Sequence, residues 1–159
     1  MKPQAVICWA HFKSRNPSVD DSRLYDVFCF GDSEALADEL GSLVVAGTKR
    51  ATAGSIWSLE AEGKSPPRPG DYSIVTTWSG RPLCIIETLS IEIIPFKSVG
   101  ADFASTEGEG DGSLQFWRNA HKAYFSRECG RLGRAFSEDM PVVCERFQIA
   151  LPWHANSAA

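Results

Sequence analysis

From Leu83 to Phe96 the chain carries one long β-branched run, with Ile85, Ile86, Ile91, Ile93 and Ile94, and this run constrains the fold more than any other feature. Strands in globular proteins usually hold about five or six residues. A much longer one twists and bends, and a small barrel in which one strand serves two sides accommodates it. Shorter strand signals lie around it. Leu24 to Phe30 brings Tyr25, Val27, Phe28 and Phe30; Ser55 to Leu59 and Tyr72 to Trp78 follow, and Val142 to Ile149 closes the sheet. Ser79-Gly80 suits a tight hairpin between the third and fourth of these runs.

Helical spacing separates the strands. Gln4 to Ser14 is a weak helical stretch stopped by Asn16-Pro17. The clearest helix has Asp32 or Ser33 as its cap, Leu36, Leu40, Leu43 and Val44 on one face, and Gly47 as its stop. Phe103 to Gly112 reads as an acidic, glycine-rich loop, after which Ser113 caps a helix holding Leu114, Trp117, Ala120, His121, Tyr124 and Phe125. The fold class expected is α+β: a small mixed β-barrel flanked by α-helices.

At 159 residues, with 43% hydrophobic and 23% charged, the chain fits one domain with its own core. Residues 1–23 are expected to be a partly helical extension packing on the barrel, 24–151 the domain itself, and 152–159 a frayed tail from which Trp153 can pack back. The net charge of −4 gives no global attraction to nucleic acid, so any RNA contact must be local, and DNA is not an expected partner. Cys8, Cys29, Cys84, Cys129 and Cys144 are scattered, without a C-x-x-C pair. They read as small buried groups in a reducing compartment rather than a disulfide or zinc framework. With neither a signal peptide nor an 18-residue apolar span near Met1, the expected location is the cytoplasm, with no membrane partner.

Several motifs carry a resemblance. Ala46-Gly47-Thr48-Lys49-Arg50-Ala51-Thr52 resembles the signature of the ASCH family, in which a helix ends at glycine and the following strand brings lysine and, three positions on, threonine. Pro69-Gly70-Asp71-Tyr72-Ser73-Ile74-Val75 and Pro82-Leu83-Cys84-Ile85-Ile86-Glu87-Thr88 are similar to the family's turn into its second strand and to its central strand. Glu107-Gly108-Glu109-Gly110-Asp111-Gly112-Ser113-Leu114, then Trp117-Arg118 and His121, resembles the longer members, as does Pro141-Val142-Val143-Cys144-Glu145-Arg146-Phe147. The match runs from about Phe30 to Ile149.

The resemblance implies a PUA-like domain that binds RNA or a modified nucleoside. In the short members, the lysine and threonine of the signature, with a glutamate from the later acidic loop, cleave the amide of N4-acetylcytidine. Carried over, that set is Lys49, Thr52 and one of Glu107 and Glu109, with Glu109 favoured. Lys49, its pKa lowered by partial burial, would take the proton of an attacking Thr52 while the glutamate shuttles a proton to the departing amine. Strict strand alternation would put Lys49 and Thr52 on opposite faces unless the backbone twists or bulges at Arg50-Ala51. This chemistry needs neither cofactor nor metal.

Longer members imply an alternative, a ribonuclease on single-stranded RNA in which the acidic loop recruits a divalent metal. A noncatalytic RNA-binding regulatory module is the third reading. Candidate substrate or RNA contacts are Arg50, Arg118, His121, Lys122, Ser126 and Arg127 as polar groups, and Trp57 and Trp78, with Tyr25, as stacking surfaces. Taken singly, these residues have plainer roles. Cations suit a helix C-terminus, threonine suits any strand, and an acidic glycine-rich loop can simply be solvated. Oligomeric state is left open.

Overall fold

A computed structural model describes residues 1–154, 156 and 157. Its chain order is α1 (Pro3–Arg15), β1 (Leu24–Phe28), α2 (Glu34–Val45), β2 (Ala51–Ser55), α3 (Ile56–Ala61), β3 (Tyr72–Thr76), β4 (Pro82–Pro95), α4 (Ala101–Glu107), α5 (Leu114–Arg131) and β5 (Pro141–Pro152). One five-stranded sheet runs β1-β3-β4-β5-β2; β1 and β3 are parallel and the other pairs antiparallel.

The sheet is open. β1 and β2 are its two edges, so the closed barrel expected from the long strand gives way to a curled mixed sheet. The length of β4 has the anticipated consequence in a different form. Its first half pairs with β3 while its whole length pairs with β5, with register shifts at Ile85/Ile86 and Thr88/Ser90 that bend the ribbon. Two long strands thereby serve separate helix layers without the edges meeting.

Three apolar clusters follow from strand alternation. α1 buries Ala5, Cys8, Trp9 and Phe12 against Ile74 and Ile85. The adjacent Val75 and Ile86 point to the other face and meet Val44 of α2, with Phe30 and Phe147. Around β2 and β5, Ala51, Val142 and Cys144 pack with Phe103 of α4 and Trp117, Phe125 and Cys129 of α5. Trp153 packs back against the α1 cluster, as expected, and meets His11 edge-on, while β5 extends to Pro152, past the Ile149 at which the last strand was expected to end. Ala155, Ala158 and Ala159, also assigned to a frayed tail, lie outside the described residues.

Two local expectations are corrected. The strand expected over Ser55 to Leu59 is instead the helix α3, because Ser55 Oγ accepts hydrogen bonds from the Trp57 and Ser58 amides and caps it; the strand precedes it. The acidic segment beginning at Phe103 is helical up to Glu107, where Gly108 at φ +66° ends α4 in the left-handed region. No helix among the described residues is long and apolar enough to cross a membrane.

Candidate active site

Lys49 is held by its backbone before its side chain does anything. Ser33 caps α2 by accepting from the Leu36 amide, and Gly47 at φ +81° ends the helix. The Thr48 and Lys49 amides then both donate to the Leu43 carbonyl, the Arg50 amide donates to Thr106 O on α4, and the Arg50 carbonyl accepts from Phe147 on β5. Lys49 and Arg50 precede the start of β2 at Ala51, so strand alternation does not govern them. Lys49 and Thr52 consequently line one cavity.

That cavity has a volume of about 460 Å³ and lies between the loop before α2, α2 itself, β2 and α5. Its lining includes Phe28, Phe30, Leu36, Leu40, Phe116 and Tyr124 as apolar surface, with Lys49, Thr52, Glu107, Glu109, His121 and Arg127 as polar groups. Pockets for small ligands typically span about 300–1,000 Å³ with a few placed polar groups in apolar walls. The size suits a nucleoside.

Lys49 is 1% exposed and Glu107 0%. The ammonium Nζ donates to Ala51 O at 2.7 Å and to Glu107 Oε2 at 3.1 Å, and stands 3.3 Å from Glu109 Oε1. It also lies 5.2 Å from the centre of the Phe30 ring. His121 Nε2 approaches Glu107 Oε2 at 3.2 Å and Glu109 Oε2 at 3.8 Å. The imidazole is oriented from behind. Its Nδ1 lies 2.9 Å from Trp117 O and its ring stacks on that indole at 4.2 Å.

Environment drives the two glutamates apart. Burial works to raise the pKa of Glu107, but Lys49 and His121, with the Trp117 indole, overcome it and bring the carboxyl down to about 2. Among the described residues, Glu107 Oε1 and Trp117 Nε1 are both buried without a hydrogen bond of ordinary geometry. For Glu109 burial wins, assisted by the charge of Glu107 and only partly offset by Lys49 and His121, so its pKa is raised. Burial alone would lower the pKa of His121; the charges of Glu107 and Glu109 reverse that and raise it. Two carboxyls pushed in opposite directions are suited to different work, one as fixed charge and one as proton carrier.

Glu107, Glu109 and His121 offer ligand atoms within 4.8 Å of one another, the arrangement a divalent metal would use. The fit is poor, because Lys49 Nζ already contacts both carboxylates and a metal cation there would share their oxygens with an ammonium.

The turn joining the glutamates depends on glycine. A Cβ on Gly108 would run into the carbonyl of Thr48, and one on Gly110 into the Phe116 ring. The close approach of the acidic turn to the Lys49 segment therefore requires glycine at 108, and its packing against Phe116 of α5 a glycine at 110.

Of the remaining sequence candidates, His121 and Arg127 reach the cavity. Arg127 is held by Asp32, through Nε at 2.9 Å and Nη2 at 3.1 Å, and Arg131 joins the same carboxylate at 3.4 Å. Arg50, Arg118, Lys122 and Ser126 are exposed and lie off the cavity lining. Trp57 sits on α3 beneath the Arg134 guanidinium at 4.3 Å, and Trp78 is in the exposed turn between β3 and β4. Tyr25 donates to Ser65 O and carries Lys64 over its ring. Cys29 at the cavity wall is a residue sequence reading missed, since it was grouped with the four cysteines that are buried. Asp32 was considered only as a cap. Its pairing with arginines about a hundred residues later leaves no local trace.

The ASCH domain of Lactobacillus crispatus JV V101 is 34% identical to this chain and superimposes with a TM-score of 0.84, covering 95% of this chain and 96% of its own. A protein of Enterococcus faecalis V583 is 32% identical with a TM-score of 0.84, over 94% of this chain and 88% of its own. The ASCH protein of Zymomonas mobilis, 11% identical with a TM-score of 0.51 over 86% and 77%, shares the fold. No curated protein matches the chain. The ASCH domain is a PUA-like fold often linked to RNA binding. A family model described as ASCH domain matches residues 26–150, nearly the whole chain, and with it the two relatives above 30% identity establish that this protein belongs to the ASCH domain family.

Proposed function

We propose that this protein is a small amidohydrolase acting on N4-acylated cytidine-like nucleosides. The observation that carries the reading is a single nucleoside-sized cavity, about 460 Å³, lined together by a hydroxyl at Thr52, a buried ammonium at Lys49 and two carboxyls of opposite tuning at Glu107 and Glu109. In this reading Thr52 Oγ1 attacks the acyl carbon, and Glu109, whose raised pKa favours the protonated form, delivers its proton to the departing amine. Lys49 supplies positive charge to the developing oxyanion, and Glu107, itself anchored by His121, holds the Lys49 ammonium in place. The aromatic walls at Phe30, Phe116 and Tyr124 offer flat surface to a base.

A ribonuclease on single-stranded RNA is the second reading, favoured by Arg127 at the cavity and by the Glu107–Glu109–His121 set. Against it, the exposed basic side chains Arg118 and Lys122 of α5 do not line the cavity, and Lys49 competes with any metal. Incubation with N4-acetylcytidine, and separately with end-labelled single-stranded RNA with and without EDTA, tests both. Release of cytidine and acetate by the native protein and not by Thr52→Val is the expected result. Cleavage of RNA that EDTA abolishes, with N4-acetylcytidine intact, would replace this reading by the second. RNA bound but uncut leaves a noncatalytic binding module.

A further inference from the structure

A hydroxyl attacks only if something accepts its proton. An ammonium has three N–H donors and no acceptor. Those of Lys49 have three acceptors around them, at 2.7, 3.1 and 3.3 Å. We infer that Glu145, on β5 beside Thr52, is the group that takes the Thr52 proton, a role that rests on the amidohydrolase reading.

Thr52 and Glu145 are direct partners in the antiparallel β2·β5 register. Opposed residues of such a pair point to the same face, with Cβ atoms about 4.5–5.5 Å apart, within reach of a glutamate side chain. That face belongs to the cavity. Thr52 lines it, and Phe147, two residues beyond Glu145 on the same side of β5, stacks with the lining residue Phe30 at 6.4 Å. Glu145 therefore lies behind the cavity wall and acts on substrate through Thr52, as a positioning and proton-accepting residue.

Its own partners leave room for this role. Glu145 Oε2 accepts from Thr88 Oγ1 at 2.6 Å, while Oε1 accepts no hydrogen bond and the residue makes no ion pair among the described residues. A half-buried carboxyl with one uncharged donor is an uncommon structural choice, since burial of an unpaired charge is costly. The groups that influence it from neighbouring elements are Lys49 ahead of β2, Asp71 ahead of β3 and Thr88 on β4, and it in turn acts on Tyr25 of β1. Burial dominates, partly offset by Thr88 and Lys49 and assisted by Asp71, and raises its pKa toward the range useful to a base.

The steps balance. Thr52 Oγ1 bonds to the acyl carbon as its proton passes to Glu145; the C–N bond breaks as Glu109 protonates the amine. Water then adds to the acyl-threonine and gives its proton to Glu109, while Glu145 returns the first proton to Thr52 Oγ1 as the ester C–O bond breaks. The products are the nucleoside and the carboxylic acid, and both glutamates return to their starting states.

Glu145→Gln keeps the size and the acceptor for Thr88 but cannot take a proton. On N4-acetylcytidine it is expected to lower kcat by roughly 100-fold or more with KM near native, and to remove the acidic limb of the kcat–pH profile, with Glu145→Asp recovering part of the rate. A Glu145→Gln protein with a native unfolding transition, native kcat and an unchanged acidic limb overturns the assignment while leaving the hydrolase reading intact. A second measurement needs no turnover. Carboxyl-carbon NMR of Glu145 followed against pH in the native protein and in Thr52→Val should show the midpoint move upward when the hydroxyl facing it across the strand pair gives way to a methyl, because an apolar neighbour disfavours the charged form. An unmoved midpoint sinks the pairing whether or not N4-acetylcytidine is a substrate. If the native protein leaves N4-acetylcytidine intact, the hydrolase reading fails by itself and the NMR result decides whether the two residues are coupled.

Discussion

Replacing Lys49 by methionine keeps the length and much of the volume of the side chain while deleting the charge that balances two carboxylates. Lys49 is 1% exposed and Glu107 0%, so solvent screens neither, and the discount that applies to surface ion pairs does not apply. Removing one partner of a buried pair typically costs about 3–5 kcal/mol because the other charge is left uncompensated. His121, 3.2 Å from Glu107 Oε2, remains as a polar partner, which puts the expected loss near the lower end, about 3 kcal/mol at pH 7. In urea, at roughly 1–3 kcal/mol per molar, this moves the unfolding midpoint down by about 1–3 M with the slope unchanged. The pH dependence gives the sharper check. Without Lys49, burial is left to raise the folded-state pKa of Glu107, so the variant gains on lowering the pH toward 4, where a neutral Glu107 no longer needs a counter-charge. The native protein, with Glu107 at about 2, gains nothing there from this group. The double variant Lys49→Met/Glu107→Gln should be more stable than the sum of the single losses by about 2 kcal/mol. A Lys49→Met loss under about 1 kcal/mol, equal at pH 4 and pH 7, would refute the claim that this pair is buried and mutually dependent.

In the native protein, the folded-state pKa of Glu107 lies below the ordinary glutamate value of 4.5, so its contribution is complete above 4.5 and disappears as the pH falls toward about 2. Acid titration of native protein and Glu107→Gln by circular dichroism should show their stabilities converging across that window. His121 has the opposite sign. Its folded-state pKa is raised above 6.5, so its contribution is present below 6.5 and is lost at higher pH, and His121→Asn should flatten the alkaline side of the stability profile. Ser55→Ala removes the oxygen that accepts from the Trp57 and Ser58 amides and should cost about 1 kcal/mol in urea unfolding, with α3 fraying first in amide exchange. Gly108→Ala puts a Cβ into the Thr48 carbonyl at a positive φ and should cost about 1–3 kcal/mol; its effect on N4-acetylcytidine turnover should exceed that of Gly112→Ala, where a Cβ meets nothing within 4 Å.

The parts of this fold that were legible in the sequence are those decided over a few residues. A cap at Asp32 or Ser33, which the structure gives to Ser33, Gly47 as a helix stop, Ser113 before α5 and the turn at Gly80 each follow from one side chain or one positive φ, and the structure has all of them. The closure of the sheet was not legible, because whether β1 meets β2 depends on how far two bulged strands curl, a sum over many residues. α3 was hidden by Ile56, Trp57 and Leu59, which suit a strand by composition; the cap at Ser55 decides otherwise, and the sequence offers such a serine in many places that are not caps.

The site divides along the same line. Lys49 and Thr52 were found by the resemblance of their motif to the ASCH signature, and their spacing raised an objection, since three steps along a strand change faces. The objection falls because the strand begins between them, a boundary set by hydrogen bonds from Thr48 and Lys49 to Leu43 and from Arg50 to Thr106. Glu145 could not be found this way. Nothing near it in the chain marks it as different from Glu87, which alternation also places on a strand and which accepts from Tyr72 and Gln148. What separates them is the residue across the strand pair: Glu87 faces Gln148 and Glu145 faces Thr52. A carboxyl becomes chemically distinct when the register gives it a hydroxyl to serve and the packing leaves it without an ion-pair partner, and both conditions arise from strands separated by most of the length of the chain.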